Sequence, residues 1–478
     1  SATFYGPADF TCTTFHGDTS FSAAQFTADA SFHGASFTDW VGFSAAHFTG
    51  AAEFSGARFA DAASFATVTF TGEADFSDAV FSAAADFAVS SFNSDANFSR
   101  LNTAGIASFA AVTFDGKAVF TASTFHDEAH FAASVFNRPA VFSKSLFGGV
   151  ARFAGVVTKQ SAMFSNVRFA SAADFSGASF TQYEDFGGAR FDGDATFSRA
   201  SFIALPRTRY EMDFPQHANF SNATFAQDAD FSKATFTAHV GFYKATFARE
   251  VSFNGANFEG AYFADATFGQ DADFGCSTFN HSASFDHATF SGEAQFFRAD
   301  FVLGADFSLA TFNQDAYFGL STFAQDAKFS QATFEYNAYF SEATFAQNAD
   351  FAKATFRKDA NFFHAIFTQS ADFSEATFAA NTHFVTATFA QVANFCNACF
   401  ESSGPKFARE NLRARFSAQA DPQDYLFEAR PESPHGFSCG AAELLNRTFV
   451  LPIGAVLYDP DSWDEEKQEY TRVSEPAQ

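Results

Sequence analysis

The chain is short of most things an ordinary globular domain uses. Its 478 residues include two Met and two Trp. The five cysteines, at 12, 276, 396, 399 and 439, are too few, too scattered and too odd in number for a disulfide framework. No run of ~18 apolar residues occurs, so no helix is long enough to span a bilayer. The most apolar stretch of the tail, Phe449 to Tyr458, is about half that length and contains Pro452. Basic residues are scarce: 28 Lys and Arg face 54 Asp and Glu, for a net charge of −26. A field of that sign repels polyanions and argues against direct binding to nucleic-acid phosphates. There is no signal-peptide pattern, phosphate-binding loop or dinucleotide fingerprint. The chain opens at Ser1 without Met, which reads as a truncated or processed start; a cytoplasmic location is favoured, with secretion left open.

What the chain has in excess is phenylalanine, 77 in all, the mark of one structural slot filled again and again. The rings fall at 4, 10, 15, 21, 26, 32, 37, 43 and onward, in alternating steps of six and five. Between residues 4 and 400 the pattern has 73 slots, of which 70 are Phe and three are Thr103, Thr158 and Thr208. The residue two before each Phe is small, as in Ala223-Thr224-Phe225 and Ala332-Thr333-Phe334. In an extended segment the small residue and the Phe share one face while the residue between them points outward. The two or three residues that follow are polar and turn-prone. Each unit is therefore a very short strand and a corner, and no helical period survives.

This pattern, Ala-(Asp/Asn)-Phe-x-x, resembles the pentapeptide-repeat family. The resemblance covers residues 1–400 and implies an all-β fold, a right-handed quadrilateral β-helix (β-solenoid) of about 18 coils. Every second unit here has six residues, so a four-sided coil takes 22 residues, with two corners enlarged. Stacking at ~4.8 Å per coil gives a rod about 85 Å long. Two irregularities stand out. Phe202 to Phe214 spans twelve residues instead of eleven, which implies an outward loop around Pro206, and Phe258 to Phe263 spans five instead of six.

Residues 401–478 form a separate C-terminal segment, read as a small mixed cap over the open end. Lys406 to Phe416 reads as a short helix with Ala408, Leu412 and Phe416 on one side; a second apolar patch spans Leu444 to Tyr458, and the acidic end, Asp459 to Gln478, reads as loose. The first coil begins at once, so a bare end that self-associates is a further expectation.

The outward rows carry whatever function there is. One row holds Thr224, Thr246, Thr267, Thr289, Thr311, Thr333, Thr355 and Thr377, then Cys399. Stacked β-branched residues suit short strands, and a flat hydroxyl array is the functional alternative. A second row has Asp230, Ser252, Asp273, Gln295, Tyr317, Tyr339, Asn361 and His383, and a third Asp306, Lys328, Asp350 and Asp372. Gly436-Phe437-Ser438-Cys439-Gly440 matches a nucleophile-elbow pattern, but no His follows it and prolines precede it. Cys396, Cys399, His435 and Cys439 could offer zinc ligands, yet the first two occupy ordinary repeat positions. No catalytic, cofactor-binding or metal residue is nominated. The expectation is a non-catalytic scaffold or protein-binding rod with an unidentified protein partner. The alternative implied by the resemblance is an acidic DNA mimic that binds or protects a type II topoisomerase (DNA gyrase).

Overall fold

The first four Phe-centred units give four two-residue strands, Thr3–Phe4, Ala8–Asp9, Thr14–Phe15 and Thr19–Ser20, one for each side of a coil. Each pairs in parallel with its counterpart one coil on: Phe4 lies opposite Phe26, Phe15 opposite Phe37, and Asp9 opposite Ser31. Hydrogen bonds between successive coils recur at a sequence separation of 22. The sides are called faces one to four after Phe4, Phe10, Phe15 and Phe21. The structure is a computed structural model that describes residues 2–204 and 216–478. It divides into two units, Ser1–Arg249 and Glu250–Gln478, and the two together hold about 18 coils with almost no helix.

In the first unit the rings fill the interior. Along each face they stack nearly flat at the coil spacing, as in Phe43–Phe65 at 4.8 Å and 6°. Across the interior, faces two and four interlock edge-to-face, Phe43–Phe54 at 5.3 Å and 89°. The positive ring edge against the negative ring face makes that crossing favourable. Thr103 and Thr158 hold buried places in the ladder, opposite Phe81 and Phe136 respectively. At the first, Leu101 takes the usual small position and is itself buried, which restores volume lost with the ring.

The two corner types follow from unit length. A five-residue unit turns through one left-handed residue two places after the Phe, such as Cys12 (φ 55°), Ala23 (φ 54°) or Arg100 (φ 57°). That conformation costs an L-residue roughly 1–2 kcal/mol. It is held by two backbone bonds per corner: Ala23 donates to Ser44 of the next coil at 2.9 Å, and Ala24 donates back to Phe21 at 3.0 Å. Six-residue units bend more widely and pass close to the coil before; a Cβ on Gly116 would collide with the Ser94 carbonyl carbon.

After Phe202 the described rings show where the ladder resumes. Phe202 and Phe220 are neighbouring ladder places (5.9 Å), Phe186 stacks on Phe220 and Phe191 on Phe225. The coil containing them therefore spans 34 residues instead of 22. Pro206, Thr208 and Phe214 lie outside the described residues; among the described residues the ladder place after Phe202 is Phe220.

The second unit repeats the same coil. The short step at Phe258 is accommodated in one continuous strand, Asn257–Tyr262, with Phe258 still stacked on Phe279 at 4.9 Å. Beyond Phe400 the regular spacing ends but the core continues: Phe407 stacks on Phe384 and Phe416 on Phe389. The helix read over Lys406 to Phe416 does not form. Ala408–Arg409 and Leu412–Arg413 pair as an antiparallel hairpin turned at Glu410 (φ 54°), so the fourfold spacing of Ala408, Leu412 and Phe416 is not a helical face. A longer hairpin, Cys439–Leu444 with Arg447–Pro452, follows, and Val456–Tyr458 lies in register with Arg415–Ser417. Trp463–Asp464 pairs with Glu469–Tyr470, and Ala441 donates to the Gln478 carbonyl at 3.0 Å.

Candidate functional site

The outward residue before each Phe is the surface the coil offers, and its chemistry begins with the corners. On faces two and four this residue is commonly Asp or Asn, and its side chain accepts the backbone N–H two residues on. Asp75 accepts from Ser77 at 2.8 Å, Asp174 from Ser176 at 2.9 Å, Asp230 from Ser232 at 2.8 Å and Asp372 from Ser374 at 2.9 Å. The corner N–H would otherwise lack a protein acceptor, so the carboxylate completes the turn. These acidic rows are thereby part of the coil's construction. Sequence reading saw the acidic residues but not this role, although the repeated Asp/Asn-Phe dipeptide was its signal.

The row Asp306, Lys328, Asp350, Asp372 lies in register along face two of the second unit, with Lys328 3.8 Å from Asp306. Burial raises the Asp350 carboxyl, and the neighbouring Asp372 adds to it, while the bond from Ala352 opposes them. On face four, Tyr317 and Tyr339 stack at 5.0 Å and 9°. Burial, then the Asp315 and Glu293 carboxylates, push the Tyr317 hydroxyl up to about 12. At the adjoining corner Asp315, Asn337, Asp359 and Asn381 alternate, each amide donating to the carboxylate one coil before. Alternation avoids stacking like charges at coil spacing.

Thr267, Thr289, Thr311, Thr333, Thr355 and Thr377 stand in register on face three of the second unit, ending at Cys399. Thr224 and Thr246 do so in the first. Arg430 from the C-terminal segment donates to Thr377 at 2.9 Å. Face one of the second unit adds Thr278, Thr322, Thr344 and Thr388, interrupted by Asp300 and Ile366. That row was not singled out in the sequence.

Ser438 precedes the Cys439–Leu444 strand, and its carbonyl accepts from Ile453. Cys399 is buried, and burial pushes the Cys396 and Cys439 thiols up. Among the described residues no group of three or more His, Cys, Asp and Glu is placed to hold a metal ion. One buried group went unremarked in the sequence: Glu184, at a position where the repeat places a small residue. It is 0 % exposed, and neither carboxyl oxygen has a hydrogen-bond partner among the described residues. Burial raises its pKa well above the ordinary range.

Residues 1–47, 43–90, 231–275 and 318–366 match the family model for pentapeptide repeats (9 copies). No curated protein and no solved structure matched the chain. The coil that carries those matches recurs through the unmatched stretches of each unit with the same pairing and the same stacked rings. The matched stretches of the chain are pentapeptide repeats.

Proposed function

We propose that this protein is a non-catalytic scaffold that presents its outward rows to a protein partner. One observation carries the reading: the inward Phe and small residues and the corner conformation recur from coil to coil, whereas the outward residues change along most rows, the Thr run of face three apart. Phe, the small residue before it and the capping Asp or Asn build the coil. Val, Thr, Tyr, Arg or Lys at the outward place adds nothing to ring stacking and is free to specify a surface. In-register pairing sets these side chains at a fixed spacing on nearly flat rows, which suits a protein surface better than a small molecule.

The acidic rows have an account within the coil itself, through their bonds to corner N–H groups and the Lys328 pairing, so they do not by themselves favour duplex mimicry. Affinity capture with the intact chain, run at low and high salt, tests the reading. A specific partner held at high salt supports a scaffold. A partner lost steeply with salt, together with inhibition of DNA gyrase supercoiling at micromolar protein, supports the mimic instead.

A further inference from the structure

The capping rule of face two fails in the first unit at Glu53, which accepts from the Ser55 hydroxyl instead, at Gly241, and over one continuous run of three coils. Asp9, Asp75, Asn97, Asp185 and Asn219 each accept the N–H two residues on. Between Asn97 and Asp185, three successive coils instead carry Val119, Val141 and Met163, in register with one another. The two valines have no acceptor and the methionine only a weak thioether, and all three are partly exposed. The coil forgoes three caps here and gains no buried core in exchange.

The surroundings change in the same coils. Face one, across the corner, shows Val135 and Val157 in register, also partly exposed. On the corner between the two faces stand Lys117, Arg138 and Lys159, and on the far side of face two Lys144; all four are exposed. No ion pair engages any of these four among the described residues. Residues 129–173 contain Arg138, Lys144, Arg152, Lys159 and Arg168 and not one Asp or Glu, in a chain with 54 of them.

The geometry points to this belt, Val119, Val141 and Met163 rimmed by Lys117, Arg138, Lys159 and Lys144, as a docking surface for an acidic, apolar segment of a protein partner. Its apolar residues would seat on the Val-Val-Met row and its carboxylates would reach the unpaired cations on either side. Locally unpaired cations act within a Debye length of about 8 Å, so a short anionic segment meets them rather than the distant acidic coils. An anionic bilayer or a nucleic acid is a much larger polyanion and feels the whole net charge of −26, which opposes it. The inference deepens the protein-binding reading above and rests on it.

The test uses the intact chain and a fluorescein-labelled peptide of alternating leucine and glutamate, read by fluorescence anisotropy. Two variants accompany it. Val119→Asn, Val141→Asn and Met163→Asn together restore the capping residue used in other coils, so this variant is expected to melt no lower than the parent. Lys117→Gln, Arg138→Gln and Lys159→Gln together remove the cations from the corner. Binding of the peptide by the parent, weakened about tenfold or more in both variants, is the expected result. Equal affinity in parent and variants overturns the proposal, as does absence of binding to the parent. Capture of phosphatidylglycerol vesicles in place of the peptide overturns it in favour of a bilayer. A partner from the capture experiment that is held equally by the Asn variant removes this surface while leaving the scaffold reading intact.

Discussion

Glu184 offers the sharpest check on the wall of the solenoid. It sits in register between Ala162 and Ala218, with Thr158 rather than Phe in a ladder place of the preceding coil. A carboxyl group with no partner in an aromatic interior is pushed towards its neutral form by burial and still lacks its hydrogen bonds. Glu184→Met keeps the length and volume of the side chain and removes the polar group. The unsatisfied carboxyl costs about 1–3 kcal/mol, so the variant should be more stable by that amount even at low pH. Charge adds a pH-dependent part. The folded pKa is raised, so the glutamate's contribution is complete below the unfolded value, about 4.3, and is lost as pH rises towards the folded value. The advantage of the methionine variant must therefore widen between pH 4 and pH 8. For a unit of this size 1 kcal/mol corresponds to about 2 °C, giving a rise of about 2–6 °C before the pH-dependent part is added. Thermal melts followed by circular dichroism at both pH values read it directly. A variant that melts at or below the parent, with an unchanged pH dependence, would refute the placement of an unpartnered carboxyl inside the wall.

Phe312→Asp puts an unpaired charge into the ladder between Phe290 and Phe334 and should lower stability by about 4 kcal/mol or more, whereas Thr311→Ser, pointing outward, should stay within about 0.5 kcal/mol; urea titration separates them. Asp75→Ala removes the acceptor for Ser77 and should cost about 1 kcal/mol, against almost nothing for Asp78→Ala, whose partner Arg100 is exposed. Gly116→Ala should cost about 1–3 kcal/mol, because the added methyl collides with the Ser94 backbone. An ultraviolet difference titration of the parent against Tyr317→Phe should show one hydroxyl ionising near pH 12; loss near pH 10 would mean that the Tyr317–Tyr339 stack is not formed.

The alternation of six and five between phenylalanines determined the coil by itself. A buried ring at a fixed interval, with a small residue two places before it, has one low-energy arrangement when repeated: strands that stack ring on ring. Phe258 to Phe263 was legible for the same reason, since a missing residue shifts one corner and leaves the stacking intact. At Phe202 counting alone could not follow the ladder: Phe186 stacks on Phe220 and the coil there spans 34 residues, while Thr208 and Phe214 lie outside the described residues. Ala408, Leu412 and Phe416 carry a helical spacing that the Glu410 turn overrides, because Phe407 and Phe416 are drawn into the ring stack. The structural work of Asp75 or Asp372, the isolation of Glu184 and the gathering of Val119, Val141 and Met163 beside Lys117, Arg138 and Lys159 were likewise decided in three dimensions. Residues 22 apart in the chain become neighbours only when the coils stack, and a charge or an apolar side chain acquires its meaning from the residue on the adjacent coil.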